Sequence, residues 1–280
     1  EHVRGKGNLK ENFNFKRTWG PKPSYPNVLK VKAKKQSDPI SVAGPCSVES
    51  QEQINFIAKE LASFGVEWLR GGIFRAGTYP PDDYGMRVDR ALWLAKAARD
   101  NGMKCVMEPV DFRWANFIAE HADALQIGAR QMQNYAMLDH YSSYDKPIFL
   151  KRNMGSTLDE FMGSAEYLIG RNAKVILVER GSSTFHNHVR WDLSISMVAA
   201  INRMTGIPIL VDASHGTGRK DLVKDMTLAG MAAGADGFIV ETHPNPCKSM
   251  TDADQAYPLN KFPDLISKAR KIWRITKEGR

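Results

Sequence analysis

The chain has 280 residues, 42% of them hydrophobic, and its 39 Lys and Arg exceed its 31 Asp and Glu to give a formal charge of +8 and a pI near 9.3. That length and composition allow a large buried core, and no run approaches the roughly 20 apolar residues of a bilayer-spanning helix, so no membrane partner is expected. The basic residues are dispersed, clustering only at 30–35 and 268–280, so no nucleic-acid partner is expected; an enzyme for anionic metabolites explains the charge equally well.

Residues 1–36 are polar, rich in Asn, Lys, Pro and aromatics, and read as an arm or hairpin that docks on a neighbouring subunit. A homo-oligomer, dimer or tetramer, is therefore expected. The opening EHVRGKGNLK lacks the apolar stretch of a secretory signal, and three cysteines, an odd number, suit a reducing cytoplasm better than a disulfide framework. From residue 37 a rhythm sets in that continues to 280. Short apolar runs at 40–46, 68–74, 104–110, 124–130, 147–152, 174–180, 207–215 and 236–243 read as strands. Amphipathic stretches between them, such as 50–65, 157–172 and 221–234, read as helices. Ser50 with Gln53, and Thr157 with Glu160, have the spacing of capping boxes. Near-continuous apolar strands alternating with helices mean a parallel sheet covered on both faces. Eight such units predict one (β/α)8 TIM barrel, an α/β fold, over 37–280; a doubly wound sheet is the runner-up, but no GxGxxG follows an early strand.

In such a barrel chemistry collects at the C-terminal ends of the strands. The strand ends here carry Cys46, Arg70 with Arg75, Glu108, Arg130, Lys151 with Arg152, Glu179 with Arg180, Asp212 with His215, and Glu241 with His243. A lone cysteine there is most often a core thiol, and a lone charge a solvated loop residue; polar groups at all eight ends argue for one functional rim. Cys46, His215, Glu241 and Asp252 offer a thiolate, an imidazole and two carboxylates, a set suited to one divalent metal ion (Mn, Fe, Co or Zn). Arg70, Arg75, Arg130, Lys151 and Arg180 form a ring of cations for a small phosphorylated acid.

The motifs GPCSVES (44–50), LRGG (69–72), QIGARQMQN (126–134), KPIFLKR (146–152), VERG (178–181), DASHGTGRKDL (212–222), ETHPNP (241–246) and TDADQ (251–255) resemble, in order and spacing, the short-type 3-deoxy-arabino-heptulosonate 7-phosphate (DAHP) synthases. The resemblance covers about 38–265. It implies a metal-dependent aldol-type condensation of phosphoenolpyruvate with an aldehyde such as erythrose 4-phosphate, in the shikimate pathway of aromatic biosynthesis. It puts Cys46, His215, Glu241 and Asp252 on the metal and Arg70, Arg130, Lys151 and Arg180 on phosphoenolpyruvate. It makes Arg75, Glu108, Lys151 and His215 the catalytic set, with Glu108 or a metal-bound water positioning the nucleophile that adds at C2.

The sequence departs from the family on the acceptor side. Where the family has Lys-Pro-Arg-Thr-Ser, this chain has Arg75, Ala76, Gly77, Thr78 and Tyr79, followed by Asp82 and Asp83, and a family arginine after the ERG motif is Ser183. Thr78 alone persists as a candidate substrate contact. Each lost charge-assisted hydrogen bond to a phosphate costs about 1.5–3 kcal/mol, so a remodelled acceptor is expected, with Tyr79, Tyr84, His186 and His188 as polar contacts. The competing reading is a barrel that has lost turnover and serves as a binding or regulatory protein.

Overall fold

The computed structural model describes residues 24–75 and 85–278. Eight strands form the barrel: β1 Ile40–Gly44, β2 Trp68–Arg70, β3 Lys104–Met107, β4 Ala124–Ile127, β5 Ile148–Lys151, β6 Val175–Glu179, β7 Ile209–Asp212 and β8 Gly237–His243. Each pairs in parallel with the next in chain order, and β8 closes on β1 with Ile40 opposite Gly237 and Gly44 opposite Glu241. The helices are α1 Gln51–Ser63, α2 Val88–Asp100, α3 Ala115–His121, α4 Tyr135–Ser142, α5 Leu158–Ile169, α6 Ile195–Met204, α7 Val223–Ala232 and α8 Phe262–Lys277, with a short extra turn at Ala213–Thr217. The (β/α)8 barrel expected from the apolar rhythm is the fold observed. Among the described residues no helix is long and apolar enough to cross a membrane.

Strands are shorter than the apolar runs because several runs continue past the sheet. After β2 the chain leaves the barrel at Gly71 and re-forms as a two-stranded hairpin, Phe74–Arg75 with Gly85–Met86. After β7, Asp212 caps a helical turn by accepting from His215 N, so His215 lies on that turn and not on the strand. The Thr157–Glu160 capping box forms in full. Ser50 accepts from Gln53 N as expected, but the Gln53 amide accepts from Glu49 N, one residue earlier than in the standard box.

Two apolar cores result from strand alternation. One residue from every strand (Val42, Trp68, Val106, Ala124, Phe149, Val178, Leu210 and Ile239) fills the barrel interior, where Trp68 meets Phe149 edge-on with ring centroids 5.3 Å apart. The larger core lies between the strands and the helices. The basic C-terminal run follows the same logic: α8 turns Phe262, Leu265, Ile266, Ala269 and Trp273 inward and exposes Lys268, Lys271 and Arg274.

Residues 1–23 of the predicted arm lie outside the described residues. Its last part packs on the barrel: Glu166 of α5 accepts from the backbone of Asn27 and Val28, and Gly206 N donates to Val31 O.

Alternation also corrects the expected rim. Arg152 and Glu179 lie one position out of step with the inward-facing residues and form a buried pair, with Arg152 Nε 2.5 Å from Glu179 Oε2. Arg152 also donates to Ser156 O, while Gly181 N and Ser194 N donate to Glu179 Oε1. This pair is structural. Glu179→Ala leaves a buried guanidinium and two backbone donors without their acceptor and is expected to cost about 3–5 kcal/mol of stability. Denaturant unfolding checks this, and a loss below about 1 kcal/mol would contradict it.

Candidate active site

Two positions beyond the apolar layer, the same alternation brings the next inward-facing residues to the mouth of the barrel. They are Gly44, Arg70, Glu108, Gln126, Lys151, Arg180, Asp212 and Glu241, and all but glycine are polar. Gly44 has φ +153°, and a Cβ there would lie 1.8 Å from Arg70 O, so only glycine lets β1 and β2 meet at this level. The ring borders a cavity of about 480 Å³ whose lining includes Cys46, Arg130, Arg190, His215, Thr251 and Asp252.

Cys46 Sγ donates to Asp252 Oδ2 at 3.2 Å, and donor atoms of Cys46, Glu241 and Asp252 all lie within 4.8 Å of one another. These three come from the loop after β1, the end of β8 and the loop beyond it. His215 does not join that mutually close set; its Nε2 is 3.4 Å from Glu241 Oε1. Its Nδ1 is 2.8 Å from Asp212 Oδ2, which fixes the Nδ1 proton and leaves the Nε2 lone pair for another partner. The donor chemistry fits one borderline divalent cation, because a thiol and two carboxylates crowded at this spacing repel as anions unless a positive charge joins them.

The charges bear this out. Burial raises the Cys46 thiol well above its usual range, and the Glu241 and Asp252 carboxylates add to the effect against the pull of Arg70. Glu241 is fully buried, which alone would raise its pKa; His215, Arg70 and the Gln255 amide outweigh burial and hold it below the usual range. Asp212 is likewise buried yet lowered well below, by His215 and Lys151.

The cations sort into paired and open groups. Arg70 Nη1 bonds Pro45 O and Glu241 Oε1, both at 2.8 Å, and Lys151 Nζ bonds Asp212 Oδ2 at 2.7 Å. Arg180 is 5% exposed, lies over the Trp191 ring at 5.4 Å, and leaves Nε and Nη1 without a hydrogen-bond partner among the described residues. Burial lowers its pKa, with Asp212 countering. Arg130 is exposed and lines the cavity. Glu108 accepts from Gln126 Nε2 at 2.8 Å, and Gly128 makes room for it, since a Cβ there would fall 2.1 Å from Glu108 Oε1.

Some expectations fall outside the described residues, and others change. Arg75 is described only as hairpin backbone, and Thr78, Tyr79, Asp82, Asp83 and Tyr84 lie outside the described residues. His186 and His188 are exposed in the loop after β6 and do not appear in the cavity lining; His186 Nδ1 is instead 3.0 Å from Asp192 Oδ2. His243, expected on the rim, is buried 3.5 Å from Glu49 Oε2. Gln126, Gln255 and Arg190 were not among the candidates, and Asp212 was placed on the rim without a role of its own. Asp212 was legible as a helix cap three residues before His215. Arg190 lines the cavity 3.7 Å from Asp252 Oδ1, and no local pattern distinguishes it from a solvated loop arginine.

The family model described as the DAHP synthetase I family matches residues 22–278. The phospho-2-dehydro-3-deoxyheptonate aldolase of Thermotoga maritima is 41% identical over 232 residues, covering 82% of this chain and 69% of that protein. A crystal structure of a phospho-2-dehydro-3-deoxyheptonate aldolase (DAHP synthase) from the same organism matches with a TM-score of 0.80 at 40% identity, covering 83% of this chain and 69% of that one. A 2-dehydro-3-deoxyphosphooctonate aldolase of Acidithiobacillus ferrooxidans is 26% identical over 263 residues, 84% of this chain and 90% of that protein. A family model that spans the whole barrel, and a shared fold at this identity, make the chain a member of the DAHP synthetase I family of phosphoenolpyruvate-dependent, carbon–carbon bond-forming transferases.

Proposed function

We propose that this enzyme condenses phosphoenolpyruvate with an aldose phosphate of the erythrose 4-phosphate class, releasing phosphate and leaving a 3-deoxy-2-keto sugar acid. The observation that carries the reading is Arg180, a buried guanidinium at the cavity wall with two donors that have no partner among the described residues. A buried donor without a partner costs about 1–3 kcal/mol, and an anion in the cavity removes that cost. Lys151 on the neighbouring strand and Arg130 above supply further positive charge for a ligand that carries both phosphate and carboxylate. The 41% identity to a heptulosonate-forming relative, against 26% to an octulosonate-forming one, favours the four-carbon acceptor.

In the reaction, C3 of the enol phosphate bonds to the aldehyde carbon, and the carbonyl oxygen gains a proton. Water adds at C2, and the C2–O bond breaks so that phosphate leaves with the electron pair. Lys151 and Arg180 hold the phosphate and offset its growing charge as it departs. Glu108, oriented by Gln126, accepts the proton of the incoming water. Cys46, His215, Glu241 and Asp252 would hold a divalent metal ion, which supplies Lewis-acid polarisation of the aldehyde carbonyl. Cys46, Cys105 and Cys247 are unpaired, which supports a reducing cytoplasmic setting. The proposed assembly is a homo-oligomer.

The acceptor side is the altered part. Gly77 and Ser183 stand where the family has arginines for the acceptor phosphate, and Arg190 is a cation at the cavity that can take up part of that role. Phosphate release is measured with phosphoenolpyruvate and, in turn, erythrose 4-phosphate, arabinose 5-phosphate and unphosphorylated erythrose. Erythrose 4-phosphate is expected to be turned over best, with a KM raised roughly tenfold or more above that of family members with both contacts. Equal rates with unphosphorylated erythrose would show that no acceptor phosphate is read. Release with none of the three would leave a binding protein.

A further inference from the structure

Asp252 is the candidate ligand farthest along the chain from a barrel strand. It lies in the loop between β8 and the short strand Tyr257–Pro258, and its backbone has φ +49°, a left-handed conformation that is uncommon outside glycine and that Asp adopts more readily than most residues. The loop is tied to the loop after β1, which carries Cys46. Met250 N donates to Glu49 Oε1 at 2.8 Å, and Thr251 Oγ1 to Ser47 Oγ at 3.0 Å. Ser249 Oγ donates to Thr251 O at 2.7 Å, and Gln255 N to Asp252 O at 3.1 Å. The contacts at 250 and 251 immediately precede Asp252, so they set where its carboxylate stands against Cys46.

Glu49 is itself held in place. Its backbone N donates to Gln53 Oε1, and its second carboxylate oxygen lies 3.5 Å from His243 Nε2. His243 Nδ1 accepts from Asn245 N, which puts the imidazole proton on Nε2, facing Glu49. His243 is 6% exposed and its Nε2 has no hydrogen-bond partner among the described residues, so it meets Glu49 as a close polar neighbour, while the Met250–Glu49 bond itself lies at the exposed edge of the loop.

We infer that Glu49 is a positioning residue: through Met250 N it clasps the Asp252 loop to the Cys46 loop and so sets the spacing of two metal ligands. The inference rests on reading Cys46, Glu241 and Asp252 as ligands. The clasp works by a hydrogen bond to a neutral backbone donor, so an amide oxygen serves as well as a carboxylate.

The test is titration of the metal-free enzyme with Co²⁺, reading affinity from calorimetry and thiolate coordination from the near-ultraviolet charge-transfer band. Glu49→Ala is expected to weaken Co²⁺ by about 10–100-fold, the range typical for groups that orient a ligand, with a shifted or weaker band. Glu49→Gln is expected to stay within about threefold of the parent. Glu49→Asp, whose carboxylate is one methylene short of Met250 N, is expected to weaken Co²⁺ severalfold, and it carries the test should Glu49→Ala fail to fold. Unchanged affinity and band in Glu49→Ala, or in Glu49→Asp when it stands in, overturn the inference, as does a Glu49→Gln enzyme as weak as Glu49→Ala, since the role would then be charge. Asp252→Asn is the control: if it binds Co²⁺ like the parent, the ligand reading itself fails. If only the Asp252 variant loses affinity, the ligand reading stands and the clasp does not.

Discussion

Cys46→Ser is expected to lower phosphate release by on the order of a thousandfold, and to leave the purified protein with little bound divalent metal. The physical case is the crowding of Cys46, Glu241 and Asp252, whose donor atoms fall within 4.8 Å of one another. A serine hydroxyl keeps the size and the hydrogen bond to Asp252 but does not ionise to a ligand at neutral pH. Losing a metal that polarises a carbonyl removes several kcal/mol of transition-state stabilisation, and about 4 kcal/mol corresponds to that thousandfold. The fold has little stake in the thiol: Cys46 is only partly buried and lies outside both apolar cores. The melting temperature of the metal-free variant is therefore expected to match that of the metal-free parent. Turnover within tenfold of the parent, with metal content unchanged, would refute the assignment of Cys46.

The barrel was legible because each strand buries both faces and so appears as a short apolar run, and because the runs alternate with helical patterns. The strand ends were harder to read. Polar residues at all eight ends suggested one rim, yet alternation divides neighbours: Lys151 and Arg180 turn to the cavity, while Arg152 and Glu179 turn to the helices and pair. Applied from Phe149 and Val178 onward, the two-residue period of a strand would have separated them without coordinates. Other features were beyond any local pattern. The tie between Glu49 and Met250 spans 201 residues, and the pairing of Arg70 with Glu241 spans 171. Such contacts exist only after the barrel has closed. The departures at Ser183 and 76–77 were visible only against the family motif, since nothing in their chemistry alone marks a missing phosphate contact.

Asp212→Asn is expected to damage both stability and metal binding, because one carboxylate serves three donors. Its Oδ1 accepts from His215 N at 3.0 Å, and its Oδ2 accepts from His215 Nδ1 at 2.8 Å and Lys151 Nζ at 2.7 Å. All three are donors, so an amide of the same shape must turn its NH₂ toward at least one of them. If it faces His215 Nδ1, the imidazole proton moves to Nε2, and the lone pair that would meet a cation is gone. If it faces His215 N, the helical turn Ala213–Thr217 loses its cap. In either case Lys151, 4% exposed, loses its counter-charge. Breaking one half of a buried ion pair costs about 3–5 kcal/mol, and misorienting a ligand costs about 10–100-fold in metal affinity. The sign of the pH dependence follows from the lowered pKa. The parent's stabilisation from Asp212 is present above the ordinary aspartate range and lost as pH falls through the depressed folded value. The variant lacks that term at every pH, so the two stability profiles are expected to be separated at neutral pH and to converge in strong acid. Denaturant unfolding across pH, with metal titration at neutral pH, measures both effects. Overlapping stability profiles together with parent-like metal affinity would show that Asp212 neither orients His215 nor compensates Lys151.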